Sequence, residues 1–111
     1  MAKLECTLYG DFSKTLNILE SEILKSSASI TEEDRSDYTL NGVQCAVRVY
    51  ERYSVLGGNR VSLNITLIGN NEKLLLSAIT SGGSQAVFYK LNTLGEESFL
   101  DCVKEIVNKY V

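Results

Sequence analysis

Two segments carry apolar residues at intervals of four, three and four: Phe12, Leu16, Leu19 and Ile23 near the start, and Phe99, Val103, Ile106 and Tyr110 at the end. That spacing draws a single stripe along an α-helix, and each stripe has to be covered by another layer. Asp11 precedes the first stripe as a helix N-cap, and that helix is expected to run to about Ser26. Thr93 and Glu96 have capping-box spacing before the second. Glu96 and Glu97 would then face the positive end of the helix dipole, with Lys104 and Lys109 toward the other end.

Outside the two stripes the sequence alternates, which is the period of strands. Leu4, Cys6 and Leu8 interleave with Lys3, Glu5 and Thr7 to give a first strand with one buried face. Asn41-Gly42 is a strong hairpin signal, because a type I′ turn needs positive φ at both central positions. Asn70-Asn71 and Gly82-Gly83 are further turn candidates, and Gly57-Gly58 centres a longer loop, Val55 to Asn59. These turns leave strands at about 35–40, 43–53, 60–68, 73–80 and 85–91.

Pairing residues symmetrically about each turn puts Tyr50 opposite Asn64, Asn64 opposite Ser77 and Ser77 opposite Phe88. The same registers gather Cys45, Val47, Val49, Val61, Leu63, Ile65, Leu67, Leu74, Leu76, Ala78, Val87 and Tyr89 on one face. That face is the surface able to cover both helical stripes. The expected fold is therefore α+β: one domain, 1–111, with an antiparallel sheet of five to six strands in the order β-α-β-β-β-β-(β)-α and both helices on one side.

The chain of 111 residues has no histidine, tryptophan or proline. Without histidine there is no Ser-His-Asp or Cys-His nucleophile activation and no imidazole metal ligand. With 11 basic and 14 acidic residues the net charge is −3, which gives no global field for nucleic acid or anionic lipid. Cys6, Cys45 and Cys102 are widely spaced and outside any CxxC pattern, so they are expected as free thiols in a reducing compartment, Cys6 and Cys45 on the buried face and Cys102 beside the second stripe. The N-terminus alternates instead of forming a signal peptide, and the longest aliphatic run, Leu74-Leu75-Leu76, cannot span a membrane. The expectation is a cytoplasmic protein without a cofactor, metal or membrane partner.

The uncovered side of the sheet is where a function would sit. In these registers its rows are Arg52, Ser62, Ile79, Ala86; Tyr50, Asn64, Ser77, Phe88; and Arg48, Thr66, Leu75, Lys90, with Asp37 diagonally within reach of Arg48. Leu75, Ile79 and Phe88 form an apolar island in a polar frame, a combination suited to an interface. Arg48, Tyr50, Asn64 and Thr66 could instead anchor an anionic or amphipathic small molecule, and Arg52 and Lys90 complete the candidate face. Thr80-Ser81-Gly82-Gly83-Ser84 is read as a hairpin turn, because a phosphate cradle usually leads into a helix and this loop joins two strands. Glu32, Glu33, Asp34 and Asp37 match no calcium loop and are read as a solvated edge. As a base, Asp37 would be weakened by its pairing with Arg48, so no catalytic residue is assigned.

The stretches RVYERYSVLGGNRVSLNITLIG (48–69) and LLLSAITSGGSQAVFYKLNTLGEESFL (74–100) resemble a family of small uncharacterised bacterial proteins, classed as a domain of unknown function. The element order is similar to the TBP-like and helix-grip topologies. The resemblance implies a bacterial cytosolic protein and brings no activity. Taken together, the expectation is a non-enzymatic domain that associates with itself through the open sheet face as a homodimer or small oligomer. Small-molecule binding on that face, or in a pocket between sheet and helix, is the alternative, and nucleic acid is not an expected partner.

Overall fold

The computed structural model describes the backbone of residues 1–53, 60–82 and 89–110, and their side chains except those of 89–95. The order is β1 (Ala2–Tyr9), α1 (Phe12–Lys25), β2 (Thr31–Leu40), β3 (Val43–Tyr53), β4 (Arg60–Gly69), β5 (Lys73–Gly82) and α2 (Tyr89–Tyr110). All pairings are antiparallel, in the spatial order β1-β5-β4-β3-β2, so β4 runs through the middle of a five-stranded sheet.

Local chemistry explains the boundaries. The Asp11 carboxylate accepts from the Lys14 N–H at 2.8 Å, and the Ser26 hydroxyl donates to the Ile23 carbonyl at the other end of α1. The helix buries Phe12, Leu19 and Ile23 of its expected stripe, with Leu16 partly buried. α2 buries Phe99, Val103 and Ile106, while Tyr110 stays exposed. Asn41 and Gly42 have φ of 52° and 77°, as a type I′ turn requires. Gly69 ends β4 at φ +153°, and a Cβ there would lie 2.2 Å from the Lys73 carbonyl oxygen, so only glycine fits the entry to this turn.

Three expectations are corrected. Residues 89–91 lie in α2 and not in a strand, while 85–88 lie outside the described residues. α2 therefore starts before Thr93, so Thr93 stands inside the helix and not at its N-cap position. No proline separates Tyr89 from Glu96, so nothing removes an amide donor at the expected start. Among the described residues, the element that follows β5 is α2.

The third correction concerns register. Tyr50 pairs with Leu63 instead of Asn64, and Asn64 pairs with Ile79 instead of Ser77. A slip of two preserves every face and a slip of one inverts it, because side chains alternate with period two. β4 and β5 therefore keep the expected buried set, Val61, Leu63, Ile65, Leu67, Leu74, Leu76 and Ala78. β3 is turned over, and β2 turns with it through the Asn41-Gly42 hairpin. Ala46, Arg48, Tyr50 and Arg52 share the helix face, and Cys45, Val47 and Val49 face the open side.

The helices do not cover their face evenly. α2 packs on β5, β1 and β4, α1 packs on α2 and β4, and β2 is exposed along nearly its whole length. The apolar core therefore lies over the β1–β5–β4 half. On the β3–β2 half of the same face, Ala46 and Tyr50 join that core, and Arg48, Arg52, Arg35 and Asp37 are charged.

Candidate functional site

On the helix face the charged half forms one network. Arg48 is only 3% exposed; its Nη1 donates to the carbonyls of Val47 (3.0 Å) and Ser36 (3.3 Å), and its Nη2 donates to Asp37 Oδ1 at 2.9 Å. The diagonal Asp37–Arg48 pair expected from the sequence exists, but it lies on the helix side. Arg48 Nε sits 3.5 Å from Glu20 Oε2 of α1, outside hydrogen-bond geometry. The same Glu20 oxygen accepts from Arg35 Nη2 at 2.7 Å, and Arg35 also holds Glu32 through two bonds of 2.9 and 3.0 Å. Glu20 thereby ties α1 to the hairpin.

These contacts set the titration behaviour. The Arg35 hydrogen bond holds the Glu32 carboxyl below the usual carboxylate range. The same bond raises Arg35, and burial followed by the nearby Glu20 and Glu32 charges pushes Tyr50 above the ordinary tyrosine value. Tyr50 is fully buried, and its hydroxyl has no hydrogen-bond partner among the described residues. Arg52 lies 4.3 Å over the Phe99 ring and donates to Ser98 Oγ at 3.1 Å, and burial lowers it. These side chains belong to the packing of the helix face, so Arg48, Tyr50 and Arg52 are not on the open side where the sequence register places them.

The open face carries a different chemistry. The registers give it the rows Lys3–Ile79–Asn64–Val49–Asp34, Glu5–Ser77–Thr66–Val47–Ser36 and Thr7–Leu75–Ile68–Cys45–Tyr38. Asn64, Thr66, Leu75 and Ile79 are therefore where the sequence places them. Lys90 belongs to α2, away from any strand row, and Phe88 lies outside the described residues. The apolar island is built from Leu75, Ile79 and Ile68, continued by Val47 and Val49 from the inverted strand. Tyr38, Leu40 and Val43 extend it to the β2 edge.

Every exposed large apolar residue of the described strands after Met1 stands on this side: Tyr9, Tyr38, Leu40, Val43, Tyr53, Ile68, Leu75 and Ile79. Tyr38 is 63% exposed and Leu75 49%. A shallow depression of about 370 Å³ lies over β1, β5 and β4, bounded by Glu5, Thr7, Thr66, Ile68, Leu75 and Ser77. The depression exists because Thr7, Thr66 and Ser77 are small and leave space beside the larger Ile68 and Leu75.

The cysteines are free and partly buried, with Cys45 on the open side and not in the core; burial raises the Cys6 thiol. Among the described residues, no group of three or more acidic or thiol side chains could hold a metal ion. The residues that sequence reasoning missed on this face are Ile68, Val47, Val49, Tyr38, Lys3 and Asp34. The Asn41-Gly42 turn already puts Tyr38 and Val47 on one side, and only the β3–β4 slip hides which side that is.

The molecule is thus an α+β domain in which two helices cover one face of a five-stranded antiparallel sheet and leave the other open. It belongs to a family of unknown function, DUF6054, whose model matches residues 1–111. No curated protein matches the chain. The crystal structure of TTHA0849 from Thermus thermophilus is similar over 99% of both chains, at 9% identity and a TM-score of 0.30, a likeness too weak to transfer anything. Among the described residues, no helix is long and apolar enough to cross a membrane.

Proposed function

We propose that this domain is a non-enzymatic module that associates with itself through the open face of its sheet. The observation behind this reading is the gathering of exposed apolar side chains on that face, where Leu75 and Ile68 pair in one row and Ile79 stands two rows away beyond Ser77 and Thr66. Apolar surface in a polar frame is the usual make-up of an interface. The absence of histidine, and the engagement of Arg48 and Asp37 with each other, fit a module without a reaction to run. The partly buried free thiols suit a reducing bacterial cytoplasm. The element order supports a TBP-like or helix-grip relationship at the level of fold alone.

Native mass spectrometry across a concentration series tests the reading. The wild type should give an even-numbered oligomer, and Leu75→Glu, which places a charge on the exposed face without touching the core, should give a monomer. An oligomer unchanged by Leu75→Glu would remove the open face from the interface.

A second reading, a small-molecule site, is favoured by the depression beside Thr7, Thr66 and Ser77. It suits an uncharged or amphipathic molecule, because Glu5 borders it and Arg48 stands on the opposite face. A discrete extra mass on the native protein would favour it.

A further inference from the structure

We infer that the partner of the open face is a second copy of this chain, stacked face to face about a twofold axis running along β4, with the Tyr38 ring of each copy seated in the other's depression. This rests on the self-association reading and adds its geometry. β4 is the central strand, so a twofold parallel to it lays β1 over the partner's β2 and β5 over the partner's β3. Residues in one row then meet the same row read backwards.

Two independent features agree with that superposition. In the first row, Lys3 stands at the β1 edge and Asp34 at the β2 edge, both exposed. The axis brings Lys3 over the partner's Asp34 on both sides of the dimer, which is charge complementarity within that row. In the Thr7–Tyr38 row, the depression occupies the β1–β5–β4 half while Tyr38 projects from the β2 edge. The axis places the partner's Tyr38 over Thr7, where an aromatic ring fills the space the small side chains leave. Leu75 then meets the partner's Cys45, and Ile68 lies beside its own symmetry mate.

The other in-plane twofold, perpendicular to the strands, fails on both counts. Centred on the Glu5–Ser36 row, it sets Glu5 over the partner's Glu5 and Tyr38 over the partner's Asp34, away from the depression. Size is adequate too. Five strands spaced about 4.8 Å apart, each with about eight residues rising roughly 3.3 Å, present a face of roughly 600 Å² before side-chain relief, near the ~800 Å² per partner of a standard interface. Two twisted sheets stacked about 10 Å apart cross at about 30°, within reach of a lysine and an aspartate from opposite sides.

Sedimentation equilibrium of the full chain, with circular dichroism to check the fold of each variant, tests the geometry. Lys3→Glu and Asp34→Lys should each weaken the dimer about tenfold, and K3E/D34K together should return it to within about threefold of the wild type. Tyr38→Ala should weaken it by about ten- to a hundredfold. A wild type that stays monomeric at hundreds of micromolar would overturn the self-association reading itself. A wild-type dimer with no rescue in the double variant, or one indifferent to Tyr38→Ala, would overturn this axis while leaving the open face as the interface.

Discussion

The two faces of the sheet reverse what residue type alone would assign to inside and outside. On the helix face an arginine and a tyrosine are buried, Arg48 at 3% and Tyr50 at 0% exposure. On the open face leucine and isoleucine stand in water, Leu75 at 49%. Coverage decides burial here, not hydropathy. The helices lie over one side, and where they reach, even Arg48 and Tyr50 are taken out of solvent, with Asp37 and Glu20 supplying the partners that make a buried guanidinium tolerable. Among the described residues, no element covers the other side.

Leu75 and Leu76 set the comparison at its sharpest, since they are adjacent in β5 and differ only in the face they take. Leu76→Ala should cost about 2–5 kcal/mol, through lost transfer free energy and the cavity left among the core side chains. Leu75→Ala should leave the unfolding free energy of dilute protein within about 0.5 kcal/mol of the wild type and act on self-association instead. Urea unfolding at low concentration reads the first effect, and sedimentation reads the second. Equal costs in dilute unfolding would mean that the open face is covered within the monomer.

Arg48 comes next in size. Arg48→Ala leaves Asp37 and Glu20 without their buried partner and should cost about 2–4 kcal/mol, below the top of the range because Asp37 keeps access to water. Arg48→Met, apolar and similar in length, should recover much of that loss; if it does not, the hydrogen bonds to the Ser36 and Val47 carbonyls matter more than packing. Tyr50→Phe should have the opposite sign. It removes a buried hydroxyl without a partner among the described residues and should stabilise by up to about 1 kcal/mol. Because Tyr50 is raised in the folded state, its contribution is complete below the ordinary tyrosine value of about 10 and fades as the pH climbs past it. Tyr50→Phe should therefore flatten the alkaline limb of a stability profile followed by circular dichroism.

The sequence carries much of this fold and rather less of the site, for one physical reason. Helical stripes, the Asp11 cap and the Asn41-Gly42 turn are local, and each stands in the structure. The β3–β4 register depends on residues 54–59, whose odd or even count between paired strands no hydrophobic pattern reports, and one residue there inverts β3 and β2 together. That single slip misplaces Arg48, Tyr50 and Arg52. Asn64, Thr66, Leu75 and Ile79 escape because the β4–β5 error is even. The alternation of Gln85 to Leu91 suggests a last strand, yet 89–91 are helical, because alternation over so few residues fits an exposed helical turn as well as a strand.

The smallest effect concerns the exposed end of the charged network. Glu32 sits below its ordinary value chiefly because Arg35 donates to it, so the pair supports the fold above the unfolded carboxylate value of about 4.3 and is lost as the pH falls through the lowered folded value. Solvent screens the pair, and global stability should barely register it. The readout is local: an NMR titration should find Glu32 below the usual carboxylate range in the wild type and back within it in Arg35→Ala. Protection factors of the amides at the start of β2, which correct for the slower intrinsic exchange in acid, should fall as the pH drops in the wild type and already be low at neutral pH in the variant. A wild-type Glu32 that titrates normally would mean that Arg35 is held by Glu20 alone, and that the network clamps α1 to the hairpin without bracing the β2 edge.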